Sequence, residues 1–181
     1  SAASDVYKRQ HVTPVRQTNH YLDSKDFKLR KKKLALRIRT FDKSAEMTLK
    51  VPQEVGNIEY NIDLSLEEAQ QLLGERNIVC GETDLSEICE LLTARDINLE
   101  EITLIGSLTT IRYEQHLPIG LAALDKNDYL GHTDYELELE VDDSKQGKKD
   151  FFDFLDKNRV EYRFSKSKVV RFLDCLRHLR K

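Results

Sequence analysis

Apolar and polar side chains alternate in several short segments of this chain. The first three segments, 34–40, 46–51 and 58–64, each place apolar residues on one side and polar residues on the other. Such alternation predicts half-buried β-strands, because successive side chains of a strand point to opposite faces. Pro52 and Gly56-Asn57 lie between the second and third segments and favour a hairpin there.

Helical patterns and further strands follow. Ser65-Leu66-Glu67-Glu68 has the form of a capping box and opens a helix that Gly74 closes. Asp84-Leu85-Ser86-Glu87 opens a second helix. Strands resume at 102–116 and 121–125, with a turn expected at Lys126-Asn127-Asp128, and two more helices are expected at 148–157 and 167–179. Strands, helices, strands and helices in this order predict an α+β fold with antiparallel strands, because a parallel sheet would alternate strand and helix.

The strongest alternation is the segment 134–141, DYELELEV. In a strand, Glu136, Glu138 and Glu140 stand in one row, while Leu137 and Leu139 line the other face. Carboxylates in one row repel each other, so something must compensate their charge. Solvent, cations from neighbouring strands and bound metal ions are the three possibilities.

The other polar faces are also charged. Arg37, Arg39, Lys50 and Arg112 are basic, whereas Glu59 and Asp125 are acidic. Two ordinary explanations are a sheet face that contacts water and charge pairs between neighbouring strands. A third is chemical: the arginine fork matches phosphate oxygens, and closely spaced carboxylates bind hard divalent cations. A sheet that closed with this face inward would bind a metal–polyphosphate complex.

Composition narrows the class of protein. With 181 residues, 34% of them charged and 39% hydrophobic, the chain is typical of one polar globular domain. A net charge of −3 favours neither nucleic acid nor membrane as a partner. No apolar run approaches the roughly 18 residues of a membrane span. Cys80, Cys89 and Cys175 form no metal-ligand spacing, so reduced cysteines and a cytoplasmic location are expected.

An ordered set of segments resembles the CYTH superfamily, also called triphosphate tunnel metalloenzymes, and in particular its small bacterial members. The resemblance covers roughly residues 17–175. It is carried by Tyr21-Leu22-Asp23, Leu29-Arg30, Leu36-Arg37-Ile38-Arg39, Thr48-Leu49-Lys50, Glu59, Gly106-Ser107, Arg112, Asp125, the ELELE row and Lys168-Val169-Val170-Arg171-Phe172-Leu173.

The resemblance implies a fold and an activity. The fold is an antiparallel β-barrel of eight strands that forms a tunnel, with helices packed outside. The activity is Mg²⁺- or Mn²⁺-dependent hydrolysis of a triphosphate, either inorganic triphosphate, thiamine triphosphate or a nucleotide. A class IV-type adenylate cyclase, which converts ATP to cyclic AMP and pyrophosphate, and a non-catalytic polyphosphate- or nucleotide-binding module are the alternatives. The expected partner is a small-molecule triphosphate, and the expected state is a monomer or homodimer.

The resemblance also implies roles for individual residues. The expected catalytic and substrate-binding residues, which hold phosphate oxygens, are Arg37, Arg39, Lys50, Arg112 and Lys168. The expected metal ligands are Glu136 and Glu138, with Glu140 as a possible third, and Glu59 and Asp125 to complete the acidic side. Lys166 is a weaker substitute for Lys168.

The sequence departs from the family at its beginning. The family pattern starts with an E-x-E-x-K strand and a helix before the Tyr-x-Asp segment, and the sixteen residues before Gln17 contain no glutamate. Residues 1–10 are therefore expected to be a tail or foreign sequence. Residues 11–181 are expected to form a single CYTH-like domain that is truncated at its N-terminus and lacks the first strand.

Overall fold

The structure is a computed structural model that describes residues 13–74 and 85–180. The expected tail at 1–10, Cys80 and Asp84 lie outside these ranges. The described elements are β1 (Val15–Asp23), α1 (Lys28–Lys31), β2 (Ala35–Thr40), β3 (Ala45–Pro52), β4 (Asn57–Leu64), α2 (Leu66–Gly74), α3 (Ser86–Thr93), a 3₁₀ helix (Leu99–Glu101), β5 (Thr103–Leu117), β6 (Gly120–Tyr129), β7 (His132–Glu140), α4 (Ser144–Lys157) and α5 (Lys168–Leu179).

The seven described strands follow the order β4-β3-β2-β1-β5-β6-β7. The α+β class with an antiparallel sheet is confirmed. Within the described ranges the sheet is open, with β4 and β7 as its end strands. The chain divides into two compact units, a first unit of residues 17–108 and a second unit of residues 109–181 with residues 1–16.

The core of the first unit lies on the apolar face of its strands. Leu36 on β2 faces Leu49 on β3, and Ile38 faces Met47. These side chains are at most 2% exposed and pack with Ala69 of α2 and with α3. The predicted capping box is confirmed: the Ser65 N–H donates to Glu68 Oε2 at 2.7 Å, and the Glu68 N–H donates to Ser65 Oγ at 3.1 Å. Packing on this side leaves the opposite, polar face of the strands away from the core.

Asp23, part of the Tyr-Leu-Asp segment, organises the turn after β1. Its carboxylate accepts N–H groups from Ser24 at 2.7 Å, Leu29 at 2.9 Å and Arg30 at 3.2 Å. The side chain is buried, and the bonds from Leu29 and Arg30 satisfy two backbone donors of the short helix α1. Asp23 therefore has a structural role in the first unit.

In the second unit, β5, β6 and β7 also separate their two faces. Ala122 and Leu124 of β6 are buried, and the partly buried Leu137 and Leu139 of β7 pack against them. Asp143 caps the N-terminus of α4, and its carboxylate accepts the N–H groups of Lys145 and Gln146. α5 buries Phe172, Leu173 and Leu176. The charged residues of these strands project from the opposite face.

Two expectations are wrong. The turn expected at Lys126-Asn127-Asp128 is part of β6, and the hairpin turn lies at Leu130-Gly131, where both residues have positive φ. Asn127 is fully buried and bonds Thr110 on β5 and Asp134 on β7, so pairing with both neighbours outweighs its turn preference. Cys89 is disulfide-bonded, contrary to its expected reduced state, whereas Cys175 is a free thiol.

No helix in the two described ranges combines the length and the apolar character that a membrane crossing requires.

Candidate functional site

The centre of the candidate site is Asp125, a fully buried carboxylate in the middle of β6 of the second unit. The strand register places it opposite Arg112 on β5 and opposite Glu136 on β7. Arg112 donates to both of its oxygens, from Nε and from Nη2, at 2.7 Å each. Arg112 Nη2 also donates to Glu138 at 2.9 Å. One arginine thus joins carboxylates from two strands.

Lys168, the first residue of α5, contributes the second cation. Its Nζ lies 2.7 Å from Asp125 Oδ2, 2.8 Å from Glu136 Oε2 and 2.6 Å from Glu138 Oε1. The helix begins at this residue, so the ammonium group reaches the sheet from the N-terminal end of α5.

Arg171 follows one helical turn later and adds a third cation. Its Nε donates to Asp134 at 2.9 Å, and its Nη2 donates to Glu136 at 3.0 Å. Its Nη1 bonds Ser165 Oγ at 2.6 Å and the Lys166 carbonyl. Arg171 therefore links β7 to the segment that leads into α5.

Neutral groups complete the contacts of Asp134. Tyr129 Oη donates to Asp134 at 2.8 Å, and the Asn127 amide donates at 2.9 Å. Thr110 Oγ1 in turn donates to Asn127 Oδ1 at 2.7 Å. Burial, together with the bond to Asp134, raises the pKa of Tyr129 to about 12, so this hydroxyl stays a donor at neutral pH. The orientation of Asp134 is therefore determined from three sides.

Asp125 and Glu136 are ionised at neutral pH. Burial raises the pKa of Asp125, but the bonds from Arg112 and Lys168 outweigh burial and the pKa lies below its ordinary value. The pKa of Glu136 is lowered in the same way by Arg171 and Lys168 against burial. Burial lowers the pKa of Lys168, yet its carboxylate partners raise it above the ordinary value. Each charge stabilises the ionised form of its neighbours.

The donor set fits a divalent metal ion. Asp125, Glu136 and Glu138 each offer a carboxylate oxygen, and these oxygens lie within 4.8 Å of one another. Oxygen ligands of this kind suit Mg²⁺ and Mn²⁺. The same three carboxylates hold the Lys168 ammonium group. The cluster is thus built to surround a cation.

The first unit carries its own charged face. Arg39 Nε donates to Asn19 Oδ1 at 2.7 Å, and Arg39 Nη1 lies 3.5 Å from Glu46. Lys50 Nζ lies 3.1 Å from Glu59. Burial raises the pKa of Glu59, but Lys50 and the nearby Arg37 and Arg39 bring it below its ordinary value. Three cations of this face therefore act on Glu59, and Arg39 pairs with Glu46 as well.

Nine of the ten expected site residues fall into two groups in the structure, and the tenth, Glu140, lies outside both. The second unit brings Asp125, Glu136, Glu138, Arg112 and Lys168 into direct contact. The first unit holds Arg37, Arg39, Lys50 and Glu59 on one face. Glu140 is exposed at the end of β7, paired with Leu121, and is outside the three-carboxylate cluster. Lys166 is exposed and pairs with Asp174 at 2.9 Å.

Arg171 and Asp134 were not expected as site residues. Both could have been found, because Asp134 begins the alternating segment and Arg171 follows Lys168 by three residues. On a helix, residues three apart lie on the same face.

The sequence matches the CYTH domain family over residues 2–173. It is 34% identical over 158 residues to YjbK of Bacillus subtilis (strain 168), which is provisionally named a triphosphatase. The match covers 87% of this chain and 79% of YjbK.

The solved structures similar to this one include two with a TM-score of 0.81. A Bacillus halodurans protein provisionally named an adenylate cyclase has a TM-score of 0.81 and 30% identity, covering 94% of this chain and 90% of its own. HpAC1 from Hippeastrum, provisionally named an adenylyl cyclase and described with a dominant triphosphatase activity, has a TM-score of 0.81 at 20% identity. The second likeness covers 96% of this chain and 88% of HpAC1, and concerns the fold alone.

Proposed function

This chain belongs to the CYTH domain family, and on that premise we propose that it hydrolyses a triphosphate with the help of a divalent metal ion. The observation that carries the proposal is the cluster of Asp125, Glu136 and Glu138, whose oxygens lie within 4.8 Å of one another beside Lys168 and Arg112. Carboxylates for a metal and cations for phosphate oxygens are the parts that phosphoryl transfer requires. The provisional name of YjbK supports the same reaction.

Asp125, Glu136 and Glu138 would hold Mg²⁺ or Mn²⁺ in this proposal. The bound ion would polarise a phosphoryl oxygen and lower the pKa of a coordinated water. The chain's own part is to keep Asp125 and Glu136 ionised and to orient all three carboxylates. Arg112 and Arg171 do so through charge-assisted hydrogen bonds at 2.7–3.0 Å.

The cations have a second task. Arg112 and Lys168 are proposed to bind phosphoryl oxygens and to offset the negative charge that develops there during cleavage. In the first unit the proposed phosphate ligands are Arg37, Arg39 and Lys50, with Glu59 as an acidic partner. Arginine suits this task because its planar fork can bind two oxygens at once.

An adenylate cyclase is the second candidate, and the Bacillus halodurans structure at 30% identity favours it. The two reactions differ in their products. A triphosphatase releases orthophosphate from ATP, whereas a cyclase releases pyrophosphate and cyclic AMP.

The test incubates the full 181-residue chain with tripolyphosphate, ATP and thiamine triphosphate, in Mg²⁺, in Mn²⁺ and in a chelator. Orthophosphate is measured by a malachite-green assay, and pyrophosphate and cyclic AMP by chromatography. Metal-dependent orthophosphate supports the proposal, and Glu136→Gln should abolish it. Cyclic AMP with pyrophosphate would establish the cyclase instead. Binding of all three compounds without any product would show a binding module and overturn the hydrolase.

Three further expectations stay predictions. A cytoplasmic location, a monomeric or homodimeric state and a single domain over 11–181 are inferred from the sequence alone.

A further inference from the structure

Three buried nitrogen atoms of the first unit lack a hydrogen-bond partner. They are Gln17 Nε2, Asn19 Nδ2 and Arg37 Nε. Gln17 is 3% exposed and Asn19 is fully buried. Buried polar groups nearly always have a partner in native proteins, since an unsatisfied donor loses its bond to water and gains nothing in return. Three such donors in one region are evidence of a ligand that supplies acceptors.

The three side chains share one face of the sheet. Asn19 on β1 lies opposite Arg39 on β2, and Tyr21 lies opposite Arg37. Side chains two residues apart on a strand point the same way, so Gln17 and Asn19 project on the side of Arg37 and Arg39. Lys50 of β3, opposite Ala35 of β2, belongs to this face as well. The unpaired donors therefore lie within the cationic face of the first unit.

The orientation of the Asn19 amide is determined by its neighbour. Arg39 Nε donates to Asn19 Oδ1 at 2.7 Å. Exchanging the amide oxygen and nitrogen would bring two donors together, so the oxygen must face Arg39. The amide nitrogen is consequently the atom that lacks a partner. Arg39 thus prepares Asn19 as a donor.

All three unpaired atoms are donors, and no buried side-chain acceptor in the described ranges lacks a partner. A group that binds there must accept hydrogen bonds and need not donate any. Ionised phosphoryl oxygens meet this requirement, while hydroxyl and amino groups would leave their own hydrogens unpaired. The cations on the same face favour a negative charge.

We propose that Gln17 and Asn19 are further substrate-binding residues, whose neutral amide N–H groups, with Arg37 Nε, bind a phosphoryl oxygen of the triphosphate. This inference rests on the proposed function. It adds neutral donors to the charged residues that the family resemblance implies. Because the amides carry no charge, they bind an ionised oxygen without competing for the carboxylates that hold the metal. The competing explanation is that ordered water satisfies the same donors.

The test measures tripolyphosphate binding to the full chain by titration calorimetry, and melting temperature for the same proteins. Gln17→Met keeps the size of the side chain and removes its donors. Asn19→Asp keeps the acceptor for Arg39 and replaces the donor by a charge. Asn61→Asp is the matched control, because Asn61 on β4 is exposed, lies on the same face and already accepts a bond from Thr48 at 2.7 Å.

The Gln17→Met and Asn19→Asp proteins should bind tripolyphosphate at least about tenfold more weakly, while Asn61→Asp stays within about threefold of the unchanged protein. The melting temperature of Gln17→Met should stay the same or rise, because a buried donor without a partner is removed. If Gln17→Met both bound tripolyphosphate more weakly and melted at a lower temperature, the amide would stabilise the sheet. That result would overturn its assignment as a substrate-binding residue.

Failure of this inference is distinguishable from failure of the proposed function. Unchanged binding by both variants, in a protein that binds and cleaves tripolyphosphate, would mean that water satisfies the donors and would overturn the inference alone. An unchanged protein that neither binds nor cleaves tripolyphosphate would overturn both.

Discussion

Lys168 Nζ lies 2.7 Å from Asp125 Oδ2, between the carboxylates that are the best candidates for metal ligands. It also contacts Glu136 at 2.8 Å and Glu138 at 2.6 Å, and its side chain is only 12% exposed. The ammonium group therefore acts as the internal counter-ion of the cluster. We propose that a divalent cation would compete with Lys168 for these carboxylates. An ammonium group displaced in this way would be available to a phosphate.

Replacing Lys168 by methionine should make the fold depend on a divalent ion. Without metal, Lys168→Met leaves three carboxylates short of a partner, and a loss of about 3 kcal/mol is expected from such an uncompensated buried charge. Added Mg²⁺ or Mn²⁺ should raise the melting temperature of this variant more than that of the unchanged protein, since an ion that binds only the native state stabilises it. Lys166→Met, at the exposed pair with Asp174, is the control. If metal raised the melting temperature equally in Lys168→Met, Lys166→Met and the unchanged protein, competition between Lys168 and the metal ion would be contradicted.

Asp125 should be the most sensitive carboxylate. Asp125→Asn removes the charge that Arg112 and Lys168 share, and the side chain is fully buried. We expect a loss of about 3 kcal/mol in unfolding free energy and a fall of about 10² in metal-dependent phosphate release. Asp128→Asn makes the same chemical change in β6, three residues away and in contact with Lys126 and Thr133. It should change stability by less than about 0.5 kcal/mol in urea unfolding. Similar losses in both variants would refute the central role of Asp125.

The strands that alternate apolar and charged residues were predictable from the sequence. In β2, β3 and β7 strong charges mark one face and aliphatic side chains mark the other, and period-two alternation is the pattern that half-burial imposes. The same period-two rule predicts that the side chains of Arg112 and Glu136 lie on the charged face of their strands. In the structure both lie there, opposite Asp125 on its two neighbouring strands. Their roles in binding and catalysis stay predictions.

β1 was not predictable as a strand because its polar face hides the alternation. Gln17 and Asn19 are buried although neutral amides usually mark exposed or turn positions. The turn expected at Asn127 was wrong for the same reason, because this buried amide lies within β6. In each case the amide is buried by neighbouring strands, and no local pattern encodes which strand will be adjacent. A polar residue buried by long-range pairing is the feature that sequence periodicity misses here.

Arg171 was missed although it donates to Asp134, Glu136 and Ser165. We expect Arg171→Met to move the acid limb of the pH–activity profile to higher pH. Burial raises the pKa of Glu136, but Arg171 and Lys168 outweigh burial and bring this pKa below its ordinary value. Without Arg171 the pKa of Glu136 rises, so this carboxylate becomes protonated at a higher pH. Arg171→Lys keeps the charge and should recover most of this shift. An unchanged profile in Arg171→Met, measured as kcat/KM against pH, would restrict Arg171 to a structural role.

Gly147 should not tolerate alanine, although it lies inside helix α4. Alanine normally stabilises a helix by about 1 kcal/mol relative to glycine. Here a Cβ at Gly147 would lie 2.3 Å from a methyl carbon of Val141 and 2.8 Å from Val141 Cβ. The overlap should reverse the sign and cost about 1–3 kcal/mol in unfolding free energy. Val141→Ala should relieve part of the cost in the double variant, and additive effects would contradict this contact.

His20 should make the stability of the first unit sensitive to acid. Its ring bonds Ser107 Oγ at 2.8 Å and Thr40 Oγ1 at 3.1 Å, and burial lowers its pKa from the ordinary value of 6.5. The unfolded chain therefore binds a proton more readily than the folded one, so stability is complete above about pH 6.5 and is lost as the pH falls below that value. His20→Asn should remove this dependence, which we expect to be about 0.5 kcal/mol because the ring is half exposed. Urea unfolding at about pH 7.5 and about pH 5.5 measures it, with His132→Asn at the exposed hairpin as control. An equal loss of stability in acid for His20→Asn and the unchanged protein would show that His20 does not cause it.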